Sequence, residues 1–383
     1  MVIAAHVIAL EPQQALDQGI AAYSAGDLDT ARSALLEAES AGTTEARVWL
    51  ARVARDTATG TDDLVQAYAW FTLASLSATP RPKQIDLVLE RNEMALPLSL
   101  AAIQSAEHQV AERLRSELGT ERIGERVAQA VEALYLAAPD TALGAVDIVV
   151  ELGPAGADAV PALADRFRGN AMWMPLSSFG WALTQIGSAA APALANLARD
   201  ELVLELEGAF RPFTAMQALG RMGPAARGIA RTLFGAVIDD YPRLDLHGVF
   251  GASRREQTWM LRSTAVEVLI TIGAQETGLR DDVRQCLQQR IDADIEVLCA
   301  GLIGVAFDDM NSAAPVFRKV LAQDKDEQRL AATAVFLGLI GRSAEPFQGA
   351  LLGLVLNQHE SVRNAAAAAI ANIEAALRDN GSD

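Results

Sequence analysis

The chain has 383 residues, 51% of them apolar, 21% charged and 5% aromatic, and its 32 Lys+Arg against 49 Asp+Glu leave a net charge of −17. That balance is too apolar for a disordered chain and too charged for a membrane bundle, and its acidity argues against nucleic acid or an anionic membrane as partner. Cys286 and Cys299, with no CxxC pair, exclude a disulfide framework or a zinc ribbon; they read as small, reduced core residues, a single mutual disulfide being the alternative.

In chain order, MVIAAHVIA is apolar but has no basic segment before it, and it reads as the frayed start of a soluble, cytoplasmic protein. The alternative is the remnant of a signal peptide and a periplasmic chain. DLDTARSALLEA, from Asp27 to Ala38, then aligns with DLVQAYAWFTLA, from Asp63 to Ala74, at a shift of 36 residues. The repeated alanines allow close helix approach, and Leu35, Leu36, Trp70, Phe71 and Leu73 supply bulk to a shared core. Gly26-Asp27 and Gly60-Thr61-Asp62-Asp63 are turn and N-cap chemistry. RPKQIDLVLERNEMALPLSLAAIQSAEHQVAERLRSEL has the look of long closing helices, and ERIGERVAQAVEALYLAA of a helix that links this array to a second one.

From about residue 140 a second register begins. A helix ending in a large apolar residue plus glycine recurs at Gly153, Gly187, Gly223, Gly273 and Gly341, in steps of 34, 36, 50 and 68 residues, the last being twice 34. Glycine there suits a left-handed helix C-cap. Pro161, Pro192, Pro315 and Pro346 come after these glycines and are pre-set for the first turn of the next helix. The double step places a unit that has lost its glycine near Phe307, and a last unit closes near Glu374. The uncharged stretch from Gly169 to Ala198 is interrupted by Pro175, Gly180, Gly187 and Pro192, so it reads as helix, turn, helix and not as a membrane span.

Residues 11–118 resemble the Sel-one-like repeat family, relatives of the tetratricopeptide repeat, although a TATGTDD turn replaces the usual glycine-rich one. Residues 140–377, with AxP opening one helix and VRxxA the next, resemble HEAT repeats of the short bacterial, phycobilisome-lyase-like kind. About seven units are expected there, with residues 119–139 as the linking helix. The resemblance assigns Arg211, Arg262, Arg329 and Arg363 to the head of each second helix. Glu296 takes that place in the fifth unit and is expected to break any polar ladder. The implied fold is an all-α solenoid of two joined helical-repeat arrays, whose stability is a sum over neighbouring interfaces.

The step of 50 marks an insertion over Ala236–Trp259, expected as a lengthened loop. It carries Tyr241, His247, Arg254, Arg255 and Trp259, which are candidate partner-binding residues because the scaffold does not require them. AMWMPLSSFGW adds Trp173 and Met174 as candidates, whereas Phe179 and Trp181 at helical spacing read as core. Glu201, Glu205 and Glu207 alternate with leucines as a solvated face, and His6, His108 and His359 stand alone. Neither GxSxG, HExxH nor a GK[ST] loop occurs, so no catalytic residue, metal site or cofactor is expected. The expected function is a non-catalytic scaffold or adaptor that holds a protein or peptide with basic or apolar segments on its second-helix surface. The alternatives are a bilin-handling enzyme, implied by the lyase-like resemblance alone, and an inhibitor or immunity-type binding protein.

Overall fold

Alanine and leucine dominate the periodic segments, which fold as helices separated by short polar or glycine turns. The computed structural model describes residues 11–136, 139–169, 176–199, 210–238, 253–289 and 292–378. Among these residues there are helices, turns and bends, with no strand. No helix among them is long and apolar enough to cross a membrane. The chain forms an all-α solenoid, and it divides into two compact units. One runs to Leu194 and takes in Arg221–Ala226; the other comprises Ala195–Gly220 and the chain from Arg227 onward.

The first unit begins with α1 (Pro12–Ser24), α2 (Leu28–Ser40), α3 (Ala46–Asp56), α4 (Thr61–Ser77), α5 (Arg81–Ala95) and α6 (Leu100–Leu118). Packed antiparallel neighbours α1/α2 and α3/α4 bury the repeated alanines, with Ala31, Ala38 and Ala67 fully buried. Leu35, Phe71 and Leu73 lie in the core as expected, but Leu36 is 42% exposed. Adjacent residues sit about 100° apart on a helix, so Leu35 and Leu36 cannot both face the α2 core stripe of Ala31, Ala34, Leu35 and Ala38. Trp70 is half-buried beneath the Arg113 guanidinium, 4.5 Å from its ring centroid.

After these come α7 (Thr120–Leu136), α8 (Pro139–Leu152), α9 (Val160–Gly169), α10 (Leu176–Ile186), α11 (Ala191–Arg199) and α12 (Phe210–Met222). The segment expected as a linking helix, α7, packs along α8 as its antiparallel partner. The ends of α8, α10 and α12 are held by the earlier helices. A Cβ on Gly153 would lie 2.6 Å from Leu76, Ser75 donates to Gln185 Oε1 at 3.2 Å, and Asn92 Nδ2 donates to the Arg221 carbonyl at 2.8 Å. The buried Glu107 carboxylate accepts from the Ser188 amide at 3.0 Å, from the Ser188 hydroxyl, and from Tyr68 at 3.3 Å. Burial pushes this carboxyl above its ordinary range. Phe179 and Trp181 are core residues, as their spacing predicts.

The second unit continues with α13 (Ala230–Ile238), α14 (Arg254–Thr271), α15 (Arg280–Gln289), α16 (Ala293–Phe307), α17 (Met310–Gln323), α18 (Glu327–Ile340), α19 (Gln348–Leu354) and α20 (Glu360–Arg378). The second helices α14, α16, α18 and α20 pack in succession. Glycines permit the closest approaches: a Cβ on Gly301 would lie 2.3 Å from the Phe336 ring, and one on Gly338 2.8 Å from Ala369 Cα.

All five register glycines adopt positive φ, from 48° to 88°. Where the sequence predicts a unit with its glycine lost, α16 ends at Phe307 and Asp308 takes the left-handed conformation itself, with φ 48°. The last helix runs one turn beyond the expected end at Glu374. Pro161 and Pro192 occupy the second positions of α9 and α11, whereas Pro315 lies inside α17 and Pro346 in the 3-10 turn before α19. Arg262 is likewise not at a helix head, because α14 starts eight residues earlier.

Cys286 and Cys299 form a disulfide between α15 and α16, which overturns the reduced reading. The short turn brings the antiparallel helices together with Cα atoms 6.5 Å apart, within bridging range.

Candidate functional site

The segment expected as a loop through Trp259 becomes helical at Arg254. Ser253 accepts from the Glu256 amide at 3.3 Å while the Glu256 carboxylate accepts from the Ser253 amide at 2.5 Å, a reciprocal capping box. Arg255 and Trp259 therefore stand on successive turns of α14. Of the other candidates, Arg254 opens this helix, and Trp173, Met174, Tyr241 and His247 lie outside the described residues, as do Glu201, Glu205 and Glu207.

Arg255 is not free to meet a partner. Its guanidinium makes a two-pronged contact with Asp294, at 3.0 and 3.2 Å, and reaches Asp326 at 2.6 Å. Asp294 also accepts from Arg329 at 2.7 Å, and Arg329 grips Asp324 through two nitrogens at 2.6 and 2.8 Å. The ladder is thus continuous through the fifth unit: Asp294, two residues before Glu296, bridges arginines from the units on either side. Glu296 instead pairs with Lys319 at 2.8 Å. The Arg329 contacts hold the Asp324 carboxyl down to about 2. Paired, two-pronged geometry of this kind fixes orientation as well as charge, and it locks the N-terminal ends of α14, α16 and α18 together.

With those ends fixed, α14 and α18 form the walls of a cavity of about 560 Å³. Trp259, Ser263, Glu267 and Ile270 contribute from α14. Ala331, Ala332, Val335, Phe336 and Leu339 contribute from α18, with Glu327 and Gln328 at its head and Ser361 of α20 beside them. The helix that packs against both walls, α16, is buried continuously from Ile295 to Leu302 apart from the half-turned Glu296. Val335 and Leu339, one turn apart, are 46% and 54% exposed. Trp259 is half-buried. Glu267 keeps access to water, yet its apolar surroundings push its carboxyl above the ordinary range.

At the head of the groove Glu327 accepts from Ser361 Oγ at 2.5 Å and meets His359 Nδ1 at 3.0 Å. The serine is bonded to the carboxylate and not to the histidine, so the trio lacks the nucleophile-to-base contact of a hydrolytic relay.

Sequence reasoning missed Val335 and Leu339 because α18 is apolar almost all round past its first turn, and Glu267 because a lone glutamate on α14 carries no motif. EQRLAATAVFLGLI reads as wholly buried, and only packing shows that the core takes Leu330, Thr333, Ala334, Phe336, Leu337 and Gly338 while Val335 and Leu339 face out. The helical placement of Arg255 and Trp259 was legible in the S-x-x-E signature at Ser253–Glu256.

No protein-family model matches the chain, and no curated protein matches it. Solved structures do. A crystal structure of a Kap121p mutant aligns with 12% identity and a TM-score of 0.43 over 99% of this chain and 43% of that one. A second Kap121p mutant gives 12% and 0.42, and Kap121p itself 13% and 0.35. The chain spans less than half the length of these matched structures.

Proposed function

We propose that this protein is a non-catalytic helical-repeat scaffold that holds a protein or peptide segment in the groove between α14 and α18. The observation that carries the reading is the exposure of Val335 and Leu339 in a walled cavity beside Trp259. Leaving these two half-exposed aliphatic side chains in water forgoes about 1 kcal/mol each of burial, which a binding surface recovers on association. The Sel-one-like and HEAT-like resemblances support the same reading, since such arrays mostly bind proteins, though a fold does not by itself assign a function. The Cys286–Cys299 disulfide favours an oxidising compartment, and so the periplasmic alternative over the cytoplasmic one.

Affinity purification with mass spectrometry tests the proposal. Proteins captured by the wild-type chain should be lost from Val335→Asp and Trp259→Ala variants of unchanged helical content. A captured set that is identical for all three chains refutes it.

A further inference from the structure

The charges of the groove define the chemistry of its occupant. Its lining contains two carboxylates, Glu267 and Glu327, and no lysine or arginine. At its head, Arg255 and Arg329 are engaged by Asp294, Asp324 and Asp326, and Glu327 is held by the Ser361 hydroxyl and the His359 ring. The arginine charges are therefore already balanced, while Glu267 meets no cation among the described residues.

The two carboxylates also have a defined spacing. Contact between Arg255 and Asp326 sets the register of α14 against α18. Glu327 is one residue beyond Asp326, and Glu267 is twelve residues beyond Arg255. At a rise of about 1.5 Å per residue, the two acids are offset by roughly 16 Å along the groove. By the same rise Val335 falls between them and Leu339 level with Glu267; all four line the cavity. An extended chain, at about 3.3 Å per residue, covers that distance in about five residues.

We propose that the groove takes one linear segment of a partner protein in which two lysines or arginines, about five residues apart, flank apolar side chains. The basic groups meet Glu267 and Glu327, and the apolar residues between them cover Val335 and Leu339. This assignment rests on the scaffold reading above and adds the class of partner to it.

Fluorescence anisotropy on the full chain tests it with three labelled octapeptides. One is Gly-Lys-Leu-Ala-Leu-Ala-Lys-Gly; the second replaces both lysines with glutamate; the third brings the lysines next to each other. The first peptide should bind saturably, and the other two about fivefold to tenfold more weakly, the scale of two partly exposed ion pairs. A Glu267→Gln, Glu327→Gln double variant should lose the same factor, and a Glu267→Lys, Glu327→Lys double variant should prefer the glutamate peptide. Equal binding of the lysine and glutamate peptides, or no saturable binding of the first up to about 1 mM, overturns the proposal. If Val335→Asp still abolishes capture of the partner proteins, the charge assignment alone has failed; if Val335→Asp leaves capture intact, the scaffold reading has failed with it. A second copy of this chain as the occupant would appear as dimerisation lost in Val335→Asp, and would also overturn the assignment.

Discussion

Gly187 is where backbone conformation and a buried charge meet, and its replacement by alanine has a calculable cost. Its φ of 88° with ψ of −145° is a conformation open essentially to glycine alone, and it costs an L-residue about 1–3 kcal/mol. The added Cβ would also stand 2.1 Å from Glu107 Oε1 and 2.7 Å from its Cδ. Glu107 is buried and held by the Ser188 amide and hydroxyl and by Tyr68, so yielding to the methyl group costs at least one charge-assisted hydrogen bond, about 1.5–3 kcal/mol. The expected loss is therefore about 3–6 kcal/mol. Gly26 provides the control: its φ is 80°, and a Cβ there meets nothing within 4 Å, so Gly26→Ala should cost only the backbone part, about 1–2 kcal/mol. Urea unfolding followed by far-ultraviolet circular dichroism measures both. Shortening the carboxylate with Glu107→Ala should then reduce the additional cost of Gly187→Ala, a coupling that a double-mutant cycle reads directly. Equal losses at Gly187 and Gly26 would refute the packing argument.

At the unit that lost its glycine, Asp308→Gly should stabilise the chain by about 0.5–1 kcal/mol by relieving the left-handed strain, seen as a raised urea midpoint. Reducing the disulfide, or replacing Cys286 and Cys299 with serine, should remove about 3 kcal/mol, the chain-entropy value for a loop of this size, and lower the thermal midpoint. Asp324 is ionised more readily in the folded chain than in the unfolded one. Its contribution is therefore present above the ordinary carboxylate value of 3.8 and is lost as the pH falls from there through about 2. Urea midpoints at pH 5 and pH 3 should accordingly differ less in Asp324→Asn than in the wild type.

Much of the architecture was legible because it rests on local chemistry. The five register glycines were read as left-handed caps, and all have positive φ, although Gly187 and Gly341 combine it with ψ of −145° and −125°; the double step placed the degenerate unit's end near Phe307, where Asp308 supplies the positive φ. Less was legible where choice among similar side chains depends on neighbours. Leu35 and Leu36 are equivalent as letters, and only packing decides which one turns outward. Arg255 reads as an exposed candidate until Asp294, thirty-nine residues away, is brought to it. The groove was hidden for the same reason, because exposed Val335 and Leu339 look like core in a helix that is apolar almost all round past its first turn.

The claim at the centre of this account is that a partner occupies the groove between α14 and α18. Site-specific photocrosslinking tests it most directly, with the photoreactive side chain placed at Ala332 in the groove or at the exposed Gln288 on α15. A partner in the groove gives a covalent adduct with a captured protein from Ala332 and none from Gln288; adducts from Gln288 alone, or equally from both, would contradict its presence there.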